Sequence, residues 1–131
     1  MIWDGQERRK FPRATFPCRI AVGSPVRWLV SHTDNMGING IKVILEERIR
    51  TFTPVSLELF FEKQRSIKCK GKIVWVKEVL NPIDMDREPI MFVTGIEFTE
   101  IIERDKKYIK NLVTALSILE ETGSGLEGNL L

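Results

Sequence analysis

The chain has a single histidine, only two cysteines and no long apolar run, and each scarcity removes a class of function. His32 has no Ser, Cys or acid at recognisable spacing around it, so neither a hydrolytic triad nor a histidine metal cluster can be assembled. Cys18 and Cys69 show no CxxC or Cys/His spacing, and the opening Met1-Ile2-Trp3-Asp4-Gly5-Gln6-Glu7 lacks an apolar signal region. The expectation is a pair of reduced, buried thiols in a cytoplasmic protein. No run approaches the ~18 apolar residues that a membrane span needs, which argues against direct membrane insertion. An excess of one charge is missing too. Twenty Lys plus Arg oppose 18 Asp plus Glu, for a net charge of +2, which is too weak a balance to predict binding of a nucleic acid polymer through bulk electrostatics. Asp84 and Asp86 supply too few oxygen ligands for a dedicated cation site. No acid, base or nucleophile constellation marks an enzyme, and no metal or other cofactor is expected.

What is present is enough apolar content for one core: 43% of 131 residues, within the usual size of a single domain. Between residues 16 and 98 apolar and polar residues alternate in six short runs separated by turn residues, the pattern of half-buried antiparallel strands. The first carries Phe16, Cys18, Ile20 and Val22 on one face with Arg19 on the other. The next runs from 27 to 33, the third places Ile41, Val43 and Leu45 inward, and the fourth spans 55–61. The fifth sets Ile67, Cys69, Ile73 and Trp75 against Lys68, Lys70 and Lys72, and the sixth spans 90–98. Trp28, Trp75, Phe92 and Phe98 are assigned to the core by their strand spacing, with stacking platforms as the other reading. The lysine row reads as protection against sheet pairing, with binding of single-stranded nucleic acid as the other possibility.

After residue 98 the period becomes helical. Ile109, Leu112, Val113, Leu116 and Leu119 form one stripe, and the helix is expected to begin near Glu103. Tyr108 and Ile118 flank that stripe and would extend any dimer contact, so a monomer or weak dimer is expected. The resulting fold class is all-β with one C-terminal helix, most simply a six-stranded antiparallel barrel, since closure removes exposed strand edges. The predicted organisation is a flexible basic arm over 1–15, a barrel with its helix over 16–121, and a flexible glycine-rich tail over 122–131.

Two segments carry chemistry. Arg8, Arg9, Lys10 and Arg13 cluster against the single acid Glu7. Pro12 keeps Phe11 extended, so Arg9 and Arg13 can stand up to ~13 Å apart. Guanidinium forks suit phosphate oxygens and the O6/N7 edge of guanine, although a solvated basic arm has the same composition. The second segment is Asp34-Asn35-Met36-Gly37-Ile38-Asn39-Gly40. Its glycines permit positive φ and close backbone approach, and Asn35 offers an acceptor and two donors, yet an ordinary turn reads the same way.

Together, Arg9-Lys10-Phe11-Pro12-Arg13 and Asn35-Met36-Gly37-Ile38-Asn39-Gly40 resemble the RxxxR and [D/N]xSxxG motifs of the PilZ domain family. The resemblance covers residues 7 to 115 and includes a strand of GxxF type at Gly95-Ile96-Glu97-Phe98. It implies a PilZ-type six-stranded barrel and a non-enzymatic bacterial receptor for the second messenger cyclic di-GMP. Carried over, Arg9 and Arg13, with Arg8 beside them, would grip phosphates and guanine faces. Asn35 would bond guanine, and Gly37 and Gly40 would shape the turn. The arm would close over the ligand and alter contacts with an effector protein of unknown identity. Gly37 stands where the family has serine. The alternative is therefore a PilZ-fold adaptor that no longer binds nucleotide and acts by protein–protein interaction. Asp34 either orients one of the arginines or repels phosphate.

Overall fold

Alternating burial follows the sequence pattern closely. In β2 (Arg19–Gly23) Ile20 and Val22 are buried and Arg19 is exposed. In β4 (Gly40–Leu45) Ile41, Val43 and Leu45 are buried, and in β5 (Pro54–Phe61) so are Val55, Leu57, Leu59 and Phe61. Ile20 faces Leu59, which faces Ile67 on the next strand, and all three are fully buried. Each such side chain contributes roughly 1.5–3 kcal/mol through removal from water. The computed structural model describes residues 13–15, 18–61, 65–80 and 91–130.

β3 (Trp28–Gly37), β2, β5, β6 (Arg65–Val79), β7 (Met91–Glu100) and β4 are paired in that order, and β4 returns to β3. Six antiparallel strands thus close a barrel, which leaves no open sheet edge among them. A seventh short strand, β1 (Arg13–Thr15), pairs with β3 beyond the end of β2. Thr15 faces Asn35 and Arg19 faces His32, so four steps along β1 and β2 match three along β3. The buried Thr33 satisfies the backbone at this offset: its Oγ1 accepts from Cys18 N at 2.9 Å and its own N–H donates to Cys18 O at 2.8 Å.

After Glu100 the chain enters α1 (Glu103–Leu130). Glu103 and Asp105 occupy its first turn, where acids suit the positive end of the helix dipole. Ile109 and Val113 are fully buried, with Leu112 and Leu116 packed partly against the core. The helix lies against β1 and β3. Tyr108 is held by an edge-on contact with Phe61 at 5.3 Å and by the Arg65 guanidinium 4.0 Å above its ring. Leu119, expected on the buried stripe, is exposed.

Other expectations change as well. Residues 13–15 are a paired strand rather than part of a free arm, and α1 continues through Gly123-Ser124-Gly125 to Leu130 where a flexible tail was expected. Glycine costs only ~1 kcal/mol in a helix, and propagating an existing helix adds a hydrogen bond for each residue fixed. Trp28 is 59% exposed and Trp75 is 43% exposed, so neither is core. Trp28 lies over Gly23 on the outer face while its neighbour Leu29 packs inward. Trp75 is turned outward by a bulge at Val74, because Ile73 faces Ile96 but Trp75 faces Gly95. Phe98 is packed partly against the core.

The two cysteines are buried and unbridged. Loss of hydration pushes the Cys18 thiol up to about 11, although hydrogen bonding with the Phe60 backbone opposes the shift. Burial, reinforced by the charge of nearby Asp105, pushes the Cys69 thiol up to about 12. Both remain protonated at neutral pH.

Candidate ligand-binding site

The end of β3 is the centre of the site because it is paired on both sides. Asn35 faces Thr15 of β1 and Lys42 of β4, and Met36 faces Ala14 and Ile41. Gly37 faces Arg13. The first arginine-bearing segment and the asparagine–glycine segment, separated by about twenty residues of sequence, are therefore joined by a ladder. Met36 is fully buried. Its neighbour Asn35 is half-buried and belongs to the opposite face of β3.

Asp34 is the extra residue of a bulge, since Thr33 faces Val43 while Asn35 already faces Lys42. Bulges re-aim side chains, and they are common beside functional sites. Here the Asp34 carboxylate meets the Lys42 ammonium at 2.8 Å, both half-exposed. Among the described residues, Asp34, expected either to orient an arginine or to repel phosphate, is paired with Lys42.

The turn after Gly37 brings β4 back beside β7. Its glycines do not act through positive φ: no described glycine has one, and Phe52 is the described non-glycine residue that does, at φ 68°. Gly40 matters through close approach instead. A Cβ there would run into the backbone oxygen of Ile96, with Glu97 Cα 3.3 Å away. The N–H of Phe98 donates to Asn39 O at 2.8 Å, which fixes the turn against β7.

A cavity of about 440 Å³ opens at this junction, lined among others by Asn35, Asn39, Gly40, Lys42, Trp75 and Glu97. The Trp75 indole lies against Gly95, where any Cβ would collide with the ring. A half-exposed, positioned indole is a surface on which a flat base can stack. The amides of Asn35 and Asn39 offer both donors and acceptors, and Glu97 offers a carboxylate that accepts only. A larger cavity of about 750 Å³ lies beside Trp28, Lys68, Lys70 and Ile102. None of the described motif residues lines it, so size does not identify the site.

The structure thus assembles Arg13 (as a ladder position), Asn35, Gly37 and Gly40 in one place. Arg8 and Arg9 lie outside the described residues. Sequence reasoning missed Lys42 and Glu97 and preferred the core for Trp75. The signal for Trp75 was the unbroken apolar run Ile73-Val74-Trp75-Val76, which departs from strict alternation and marks where the bulge shifts the register. His32 is exposed on β3, where it faces Arg19. No group of three or more His, Cys, Asp or Glu able to hold a metal occurs among the described residues. No described helix is long and apolar enough to cross a membrane.

The sequence profile of the PilZ domain matches residues 7–115, and the chain belongs to the PilZ domain family. No curated protein matches the sequence. Solved structures share the fold at low identity. The PilZ domain of YcgR from Escherichia coli, determined with c-di-GMP, aligns at a TM-score of 0.66 and 13% identity, covering 90% of this chain and 97% of that one. The Bacillus subtilis inhibitor of motility MotI/DgrA aligns at 0.68 and 15% identity, covering 82% of this chain and 50% of that one. MrkH of K. pneumonia, in complex with c-di-GMP, aligns at 0.70 and 13% identity, covering 89% and 55%. The chain therefore spans about half the length of the latter two proteins.

Proposed function

We propose that this protein is a non-enzymatic cytoplasmic receptor module for cyclic di-GMP. The observation that carries the reading is the β1–β3 ladder, which sets Arg13 against Gly37 and Thr15 against Asn35 beside a cavity holding Trp75. A cyclic dinucleotide needs cations for its phosphates and stacking surfaces with hydrogen-bonding groups for its bases. The RxxxR segment supplies the first, and Trp75, Asn35 and Asn39 supply the second. Family membership and neighbours determined with c-di-GMP support the same ligand.

In this reading Arg9 and Arg13, with Arg8 adjacent, grip phosphates and guanine faces. Asn35 bonds a guanine, and Gly40 keeps β4 close to β7. Because α1 packs on β1 and β3, a ligand that draws the basic arm onto the barrel also changes the surface beside the helix, where an effector protein would be contacted. Glycine at position 37 favours a second reading, an adaptor that has lost the nucleotide and works through protein contacts alone. Calorimetric titration with cyclic di-GMP, with GTP as control, separates them: the receptor gives saturable heat selective for the dinucleotide, and the adaptor gives none.

A further inference from the structure

We propose that Glu97 reads the Watson–Crick edge of a guanine and thereby makes the site discriminate guanine from adenine dinucleotides. The inference rests on the receptor reading above and adds the residue that sets base choice.

Glu97 is exposed on β7 directly opposite Gly40 on β4. It lines the same cavity as Trp75, Asn35 and Asn39. The missing Cβ at Gly40 lets β4 approach the backbone at Ile96 and Glu97, and Asn39 O holds the next residue, Phe98, at 2.8 Å. Glu97 is thus carried on a fixed strand. The cavity's described charged residues are Lys42 and Glu97, and the Lys42 ammonium is engaged by Asp34 at 2.8 Å. A carboxylate beside a doubly phosphorylated ligand repels its phosphates, so it suits the part of the ligand that presents donors. Trp75 marks that part, because an indole face accommodates a base.

The chemistry then selects the base. Guanine presents N1–H and N2–H side by side, and an ionised carboxylate accepts both at once in a charge-assisted pair. Adenine presents one donor beside an acceptor, N1, which would face a carboxylate oxygen unpaired. A neutral asparagine at position 35 has one carbonyl oxygen and supplies no second acceptor of that kind. A site built on such a pair rejects the base that leaves it unmatched.

The test is binding of cyclic di-GMP and cyclic di-AMP to the full chain, its Glu97→Gln and its Glu97→Asp variants, with urea midpoints measured in parallel. Glutamine keeps the shape but sets an N–H against a guanine donor. It is expected to weaken cyclic di-GMP binding about tenfold to a hundredfold and to narrow the preference over cyclic di-AMP, with the midpoint unchanged. Aspartate should retain the preference for guanine. Wild-type affinity in Glu97→Gln would overturn the role of Glu97 while leaving the receptor reading intact, and so would a loss accompanied by a lowered midpoint. Absence of cyclic di-GMP binding by the unmutated chain would overturn the receptor reading and this inference with it.

Discussion

Arg13 lies directly opposite Gly37 on the β1–β3 ladder. The second arginine of RxxxR and the position that departs from the family motif are therefore neighbours on adjacent strands, and a change at either is felt at one place. Gly37→Ser is expected to raise affinity for cyclic di-GMP, because a hydroxyl at this rung adds a hydrogen bond of about 0.5–1.5 kcal/mol, or ~1.5–3 if it reaches a phosphate. Arg13→Ala should cost more than ~1.5 kcal/mol. Calorimetry on the two variants checks both, and unchanged affinity in Arg13→Ala would show that β1 takes no part in binding.

Trp75 is exposed and lies against Gly95, so its contribution to the core is small and its contribution to a ligand can be large. Trp75→Ala should weaken nucleotide binding by about 1–3 kcal/mol, the range for loss of one stacked base, with little change in urea midpoint. Gly95→Ala should weaken binding as well, because the added methyl displaces the indole. A Trp75→Ala variant that binds normally but unfolds early would place the indole in the core instead.

Gly40→Ala tests a different kind of constraint. The new Cβ meets the backbone oxygen of Ile96, which a strand paired on both sides cannot readily move. Overpacking of this sort costs typically ~1–3 kcal/mol, so chemical denaturation should show that loss even without ligand.

Much of this was legible in the sequence, for physical reasons that also explain what was not. Ile20, Val22, Ile41, Val43, Leu45, Ile67 and Cys69 are buried as alternation predicts, because period-two patterning fixes which face meets the core. Reading failed where register shifts. The bulge at Val74 sends Trp75 outward, and the bulge at Asp34 aims its carboxylate at Lys42. The bulge at Asp34 leaves no sequence signature, and the one at Val74 shows only as the break in alternation over residues 73–76. The pairing of residues 13–15 with β3 was hidden for a similar reason: Arg13-Ala14-Thr15 is too short to show a period, and its partner was read as a loop. Asn35 and Gly40 were identified through motif resemblance, whereas Lys42 and Glu97 join them only through cross-strand neighbours.

The thiols give a pH prediction. Cys18 and Cys69 have folded values of about 11 and about 12 against an ordinary 9.0. A raised value means that the folded state holds its proton while the unfolded state releases it. Their contribution to stability is therefore complete below pH 9 and lost as pH rises through 9 toward 11 and 12. Urea midpoints should decline over that interval, and a thiol reagent at pH 8 should label neither cysteine until denaturant is added. Rapid labelling of the native protein would contradict the burial of both.

The most direct test of the central claim is an amide-resolved NMR titration of isotopically labelled protein with cyclic di-GMP. Saturable shifts are expected at residues 13–15 and 35–42, at Glu97 and at the Trp75 indole, while the Trp28 indole beside the larger cavity stays fixed. Shifts confined to the groove around Trp28, or no shifts at saturating ligand, would contradict the assignment of the β1–β3–β4 junction as the cyclic di-GMP site.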